Sequence, residues 1–399
     1  MPVTRMSWGR EEKILIWVGV WILTRFAIVA DVGFWHVDGA EWEDVTIFEG
    51  WSNLIATTHQ LPIDETWQYP SGAGFLMLLP RIGGGDFGIS FVVTMLVVDL
   101  IGLGLLALLA KRGGRDWGVW VWLLAMPLLF TLPVLRFDIV PTVIAIAALV
   151  AFQLRPLWFG ALAGLGAMIK VWPLFVLFAE WDRGRLLRAV GATVAMVALV
   201  FLVAQIAFGD QIGFLTHQGN RGLQVEAVAA TPWRLHEAVT GTPVSVVQRS
   251  GTNEIGSGLA DAVAKVLDLA AILALVGAAA WWLARDRAIR RGRSDLEDPD
   301  LARDFVFTVV LLFVVTSRVL SPQFMIWFVG LAAVVLCSAR TRLVRPAVMV
   351  VFAVALHGGL YGHAFDLVFR NLLLLAALCD ATWTMISAVR GTAEIKARG

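Results

Sequence analysis

The chain has 399 residues, of which 58% are hydrophobic and only 16% charged, with a mean hydropathy of +0.76. A soluble protein of this length carries about a quarter charged residues, so these values exclude an ordinary soluble enzyme and point to a polytopic membrane protein. The formal net charge of +1 supplies no broad basic surface, which excludes a nucleic-acid partner.

Residues 14–30 form the first apolar stretch, after Arg5, Arg10 and Lys13. No small-residue cleavage site follows, so the stretch reads as a retained signal-anchor helix with a cytoplasmic N-terminus. An acidic loop of about residues 31–71 comes next. It carries Asp31, Asp38, Glu41, Glu43, Asp44, Glu49, Asp64 and Glu65, and no Lys or Arg occurs between Arg25 and Arg81. Such a loop is expected on the extracytoplasmic face. Within it, residues 42–55 fit a helix with Phe48, Trp51 and Ile55 on one face and Asp44 leading that face. The carboxylate is either an N-cap or a group held at a membrane-facing cleft, and the two roles are compatible. Residues 72–80 are apolar but too short to cross about 30 Å at 1.5 Å per residue. They are expected to be re-entrant, or half of a broken pair with residues 87–110.

Lys111, Arg112 and Arg115 mark a cytoplasmic loop, residues 117–130 return, and LPVLRFDIVPT (132–142) forms the turn before a helix descending to Arg155. Hydropathy alone reads residues 157–181 as one span, yet Arg155 precedes it and Arg183, Arg185 and Arg188 follow. Both ends are therefore cytoplasmic and the chain must turn inside the membrane. Lys170 and Pro173 stand near the middle. A lysine there costs about 2.5–3.5 kcal/mol on insertion scales unless it meets polar company, and proline removes a backbone donor. Two half-helices meeting near Lys170 are predicted, with the ammonium facing an anion in a cavity. A second long polar loop of about residues 209–258 follows on the same side as the first. Residues 260–284, 305–316, 323–336, 344–361 and 365–389 complete an all-α polytopic bundle of about ten to twelve membrane segments, both termini cytoplasmic. No internal repeat divides it, so residues 1–399 form a single transmembrane domain.

This topology brings Asp44, Tyr69, Arg136, Asp138, the loop from His217 through Arg221 to Glu226, Arg318, Ser321 and Gln323 to one face, with Lys170 beneath them. Several have ordinary explanations. Asp138 precedes Ile139 as an N-cap would, Arg136 balances Asp138, and Ser321 with Pro322 reads as a helix start. Arg318 ends an apolar helix, where its planar fork suits a phosphate. Cys337 and Cys379 lie in apolar runs and read as packing residues. No ligand spacing compels a metal, although the acids near Asp44 leave a divalent cation open, and no cofactor motif occurs. A transporter or lipid-linked sugar flippase would share the broken helices and the buried lysine. The crowding of polar groups at one face and the lack of an inverted repeat favour an enzyme.

The ordered set EDVTIFEGWSNLIATTHQLPIDETWQYPSG, RFDIVPT, GALAGLGAMIKVWPL, HQGNRGLQVE and SPQFMIW resembles glycosyltransferase family 87 of the GT-C class. The resemblance runs from the first loop to about Trp327, and the family includes bacterial polyprenyl-phosphate-mannose-dependent alpha-1,2-mannosyltransferases. It implies a GT-C-type helical bundle in a bacterial plasma membrane, with interfacial helices in the first extracytoplasmic loop. It also implies a polyprenyl-phosphate sugar donor (mannose, with arabinofuranose the alternative), a glycolipid or glycan acceptor, and an inverting reaction. By position the family's catalytic base maps onto Asp44. Arg318, Lys170, Arg221 and His217 are then expected at the donor phosphate, and Tyr69, Trp67, Arg136, Asp138, Gln323 and Glu226 around the substrates. The chain departs from the family pattern at Phe48, where tyrosine is usual, and at Ser71, where a second proline is usual.

Overall fold

The computed structural model describes residues 10–34, 42–64, 66–209, 221–249, 251–359 and 364–391. Among the described residues, five helices are long and apolar enough to cross a membrane: Glu11–Gly33, Phe87–Gly113, Arg183–Phe208, Gly258–Arg290 and Ala364–Arg390. Shorter apolar helices include Trp117–Ala125, Ile139–Ala151, Pro156–Ala167, Phe324–Leu336 and Val344–Gly359. The expected all-α polytopic architecture therefore holds, and the described strands are limited to one small hairpin.

Length and burial are coupled. A helix of 12 or 13 residues reaches only about 18–20 Å, so the chain breaks at membrane depth wherever such a helix ends. Freed backbone groups are tolerated there only if protein or a wet cavity surrounds them. Accordingly the short helices are central: every residue from Met325 to Leu336 is buried, as are Ile139 to Val143 in the neighbouring short helix. The long helices form the rim. Leu187, Val194, Leu202 and Ile206 on one, and Val266, Leu269, Leu273 and Val276 on another, remain exposed, which is the surface lipid requires.

The predicted turn inside the membrane is present. Helix Pro156–Ala167 starts with proline at its first position, where the missing N–H costs nothing. It ends just before Lys170, and Trp172–Ala179 returns as a 3-10 helix with Pro173 in its first turn. A 3-10 coil, instead of a second α half-helix, fits a short apolar return carrying proline near its start. Two glycines fix the unit against helix Arg183–Phe208. A Cβ at Gly160 would stand 1.9 Å from the Ala189 carbonyl oxygen, and one at Gly164 would stand 2.7 Å from that of Thr193. Thr193 Oγ1 also donates to the Gly160 carbonyl at 2.8 Å. Small residues here bring two backbones into contact, the usual means of helix association in lipid. Gly72, opening helix Gly72–Leu78, abuts the Met168 carbonyl at the tip of the turn in the same way.

The N-terminal helix is held by a charge pair the hydropathy profile does not suggest. Arg25 Nε and Nη2 donate to Asp99 at 2.6 and 2.9 Å, Trp21 Nε1 donates to the same carboxylate at 2.5 Å, and Arg25 reaches the Leu123 carbonyl at 3.0 Å. Both charged side chains are buried. Fork-to-carboxylate geometry satisfies the donors that lipid would leave bare.

The described part of the second loop is a small folded cap. Strands Val246–Arg249 and Thr252–Ile255 pair antiparallel with Val246 opposite Ile255. Residues 223–225 add to that edge through Ile255 N to Leu223 O (2.9 Å) and Val225 N to Asn253 O (3.1 Å). Leu223, Ala227, Ala230, Ile255, Ala260 and Ala264 form its own apolar cluster. Arg370, wholly buried in helix Ala364–Arg390, ties the cap to the bundle through the Glu226 carboxylate at 2.7 Å and the Glu226 carbonyl at 2.6 Å.

Backbone contact at Gly160 makes a paired test. Gly160→Ala is expected to destabilise by about 1–3 kcal/mol through overpacking. Gly191→Ala, in the partner helix with nothing near its Cβ, is expected to be neutral or stabilising because alanine is the better helix former. Thermal unfolding of both variants in one detergent reads the opposite signs.

Candidate functional site

Asp44 is the second residue of helix Glu43–Thr58, whose N-cap position is Trp42. The capping role considered for Asp44 is thus not taken, and its carboxylate instead pairs with Arg136 Nη2, each side chain about a quarter exposed. The helix is seated by its apolar face: Phe48 packs on Phe137 and Phe91 at ring distances of 5.4 and 5.5 Å, and Trp51 packs edge-on to Trp67 at 5.2 Å. Trp67 in turn meets Tyr69 at 5.8 Å. Burial raises the Asp44 carboxyl above its ordinary 3.8, the Arg136 guanidinium opposes this, and neighbouring Glu43 adds to it. Tyr69 is pushed up to about 12, first by burial and then by Asp138, so its phenol stays protonated as a donor.

Beneath them lies the pair that the apolar surroundings demand. Lys170 Nζ donates to Asp138 Oδ1 at 2.5 Å, and Trp327 Nε1 donates to the same oxygen at 2.8 Å. Lys170 also stands within cation–π range of Tyr69, Phe137, Phe324 and Trp327, 5.2 to 5.8 Å from the ring centres. Asp138 holds the expected N-cap position of helix Ile139–Ala151, but its side chain does not cap. An N-cap side chain accepts from the second or third helical N–H, but the third helical residue is Pro141, which has none. Asp138 makes no side-chain cap bond, which leaves its carboxylate for Lys170. Ser321 is corrected likewise: Gln323 is the N-cap of helix Phe324–Leu336, and the Ser321 hydroxyl donates to Gln224 Oε1 at 3.3 Å.

A cavity of about 850 Å³ opens over this pair. Asp44, Tyr69, Arg136, Lys170, Arg221, Glu226, Arg318 and Gln323 all line it, together with Trp172, Gln224, Asp268 and Trp327. Its apolar wall is Leu267, Ala271 and Ile272 of helix Gly258–Arg290 with Phe313 of helix Pro299–Val315. The Ile272 side chain is 59% exposed, so the cavity continues into the lipid-facing surface.

The sequence-derived set divides on inspection. Arg318 lines the cavity, but its Nη1 donates to the Arg221 carbonyl at 2.7 Å and its Nε lies 3.3 Å from Asp268. Its own carbonyl accepts from Gln224 N at 3.0 Å. Arg318 therefore seats the second loop while facing the cavity. Glu226 is held by Arg370 and has become an anchor of the same loop. Trp67 and Asp138 stand behind the wall, supporting Tyr69 and Lys170 respectively. His217 lies outside the described residues. Arg221 is the cation the loop delivers: its Nε is enclosed without a hydrogen-bond partner among the described residues, and burial lowers its pKa from the ordinary value. Trp172 is the residue the sequence reading missed. It stacks on Trp327 at 5.1 Å, lines the cavity, and its Nε1 is enclosed without an acceptor among the described residues. Its position two residues after Lys170 at the turn was the available signal. Two unsatisfied buried donors at one cavity are an arrangement that an incoming oxygen would complete. Among the described residues, no three His, Cys, Asp or Glu side chains come together as a metal site.

The model of glycosyltransferase family 87 matches residues 67–297, more than half of the chain. The matched span holds Tyr69, Arg136, Asp138, Lys170, Trp172 and Arg221, and begins after Asp44. Neither the curated proteins nor the solved structures contain a match to this chain.

Removing one partner of the buried pair should cost far more than removing both. Asp138→Ala is expected to destabilise by about 3–5 kcal/mol because Lys170 is left uncompensated. The double variant Asp138→Ala, Lys170→Met should recover much of the loss. Thermal unfolding of the single and double variants checks this, and additive losses would contradict it.

Proposed function

The chain belongs to glycosyltransferase family 87 and is a membrane glycosyltransferase; from this premise we propose that it moves a sugar, mannose by the resemblance, from a polyprenyl phosphate to a glycolipid or glycan hydroxyl. The absence of Lys and Arg between Arg25 and Arg81 and the arginines flanking the opposite ends of the helices support an extracytoplasmic site for the reaction. Family membership favours the transferase over the transporter. The single observation supporting the finer reading is that one cavity combines three carboxylates (Asp44, Glu226 and Asp268), four cations and an apolar wall reaching the lipid-facing surface.

A polyprenyl-phosphate donor needs those three things and no nucleotide fold. The isoprenoid chain lies along Leu267, Ala271, Ile272 and Phe313. Its phosphate sits by Arg221, with Lys170, Arg318 and the Trp172 indole N–H nearby, and the sugar rests against Tyr69, Gln323 and the Trp172–Trp327 stack. An acceptor oxygen attacks the anomeric carbon from the side opposite the phosphate, which inverts that centre. The anomeric C–O bond breaks, its electron pair passes to the phosphate oxygen, and the hydroxyl proton goes to Asp44 as general base. Negative charge grows on the leaving phosphate, where fixed cations lower the barrier most. Arg136 keeps Asp44 ionised and oriented until the hydroxyl arrives. Asp138 holds Lys170, whose charge then reaches the site without an unpaired ion in the apolar interior.

Asp44→Asn is expected to abolish transfer while the protein keeps its gel-filtration profile in detergent; turnover near that of the parent would reject the assignment. Arg221→Gln should raise the KM for the donor at least about tenfold, the scale of one lost charge-assisted hydrogen bond, with the acceptor KM little changed. Because Asp44 acts only when ionised, activity should fall as pH drops through its raised pKa. Arg136→Gln removes the opposing cation, so the acidic limb of the pH–rate profile should move to higher pH. A limb unmoved, or moved to lower pH, would place the base elsewhere.

A further inference from the structure

A second cavity, of about 600 Å³, lies at the C-terminal end of helix Phe87–Gly113, whose Phe91, near the other end, packs on Phe48 of the substrate cavity. The helix is 27 residues long, about 40 Å at 1.5 Å per residue, so the two cavities occupy opposite membrane faces. The second is lined by Lys13, Ile14 and Trp17 of the N-terminal helix, by Ala107, Leu108, Ala110 and Lys111, and by Gly114 to Trp117.

Its chemistry is not that of a plain packing defect. Three cations, Lys13, Lys111 and Arg115, face one acid, Asp116, leaving a local charge of +2. Asp116 is engaged by Lys13 at 3.3 Å. The Arg115 guanidinium lies flat on the Trp117 ring, 4.3 Å from its centre. Its Nη1 is enclosed and donates to nothing among the described residues. A buried guanidinium donor without an acceptor is costly, and it is completed by an oxygen anion entering the cavity. The remaining wall, Ile14 and Leu108 (44% and 46% exposed) with Ala107 and Ala110, is apolar and faces outward. Trp17 and Trp117 stand where interfacial aromatic residues usually do.

We propose that this cavity binds the phosphate headgroup of an anionic phospholipid from the leaflet opposite the catalytic cavity. Lys111 and Arg115 take the phosphate oxygens, and the acyl chains run down Ile14, Leu108 and Ala107. A free phosphate would use the same cations but has no use for the apolar wall, and a zwitterionic lipid would leave the +2 uncompensated. The bound lipid bridges the N-terminal helix to helices Phe87–Gly113 and Trp117–Ala125, adding a clamp at the membrane surface to the Arg25–Asp99 clamp in its interior.

Native mass spectrometry of the full chain, released from micelles of equimolar phosphatidylglycerol and phosphatidylcholine, tests this. With about one kcal/mol per basic residue at a membrane surface, the parent should retain phosphatidylglycerol over phosphatidylcholine by about tenfold or more. The Lys111→Gln, Arg115→Gln variant should fall to near parity. The control Arg188→Gln, Arg390→Gln, which removes two exposed cations outside the cavity, should keep the parent's preference. A parent without preference, or a control that loses it as fully as the cavity variant, would overturn the proposal. A thermal-shift series on the parent gives an arm independent of any variant. Phosphatidylglycerol should raise the Tm and inorganic phosphate at equal concentration should not; equal protection by phosphate would make this an anion site and refute the lipid reading.

Discussion

The contact on which the site depends is Lys170 against Asp138, with Trp327 donating to the same carboxylate. A lone ammonium at membrane depth is costly, and so is a lone carboxylate. Together, with an indole donor and four aromatic rings around the cation, they allow the chain to break and turn in the middle of the bundle. That turn is the floor of the cavity. Because Lys170 and Trp172 stand at its tip, the cavity is lined there by a charge and an indole ring instead of a continuous apolar helix.

The pair is held from three directions. Glycines at 160 and 164 press the descending half-helix onto helix Arg183–Phe208, so the depth of Lys170 follows from backbone contact. Pro141 removes one of the two N–H groups that a capping Asp138 could bind and Val140 N–H goes to the Phe137 carbonyl, which leaves that carboxylate to the lysine. Helix Phe324–Leu336, buried along almost its whole length, fixes Trp327. The substrate-facing side is assembled separately. The first loop lays an aromatic-backed helix carrying Asp44 over the floor, and the second loop, pinned by Arg318 and Arg370, brings in Arg221. Membership of glycosyltransferase family 87 fits this division between a rigid floor and two polar loops, since a glycosyltransferase must bring a sugar donor and an acceptor to one point.

Several arginines show that a charged side chain at a membrane boundary can act as a structural bolt, line a cavity, or do both. Arg25, Arg370 and Arg318 are each engaged by a carboxylate and by backbone carbonyl oxygen, and Arg318 lines the larger cavity as well. Arg221 and Arg115 each keep an enclosed nitrogen without a hydrogen-bond partner among the described residues and line the two cavities.

The sequence by itself determined the class of fold, the turn near Lys170 and the gathering of Asp44, Arg136, Arg221 and Arg318 at one cavity. These follow from one-dimensional quantities: apolar run length against bilayer thickness, the placement of Arg and Lys at loop ends, and the cost of a buried lysine. The tertiary structure alone decided the partners. Whether the Asp138 side chain bonds its own helix or a lysine 32 residues away, whether Arg318 also seats a loop while lining the cavity, and whether Trp172 faces a cavity or lipid all depend on helix rotation. That rotation is set by contacts between distant segments, glycine against backbone and ring against ring, so local spacing carries no record of it.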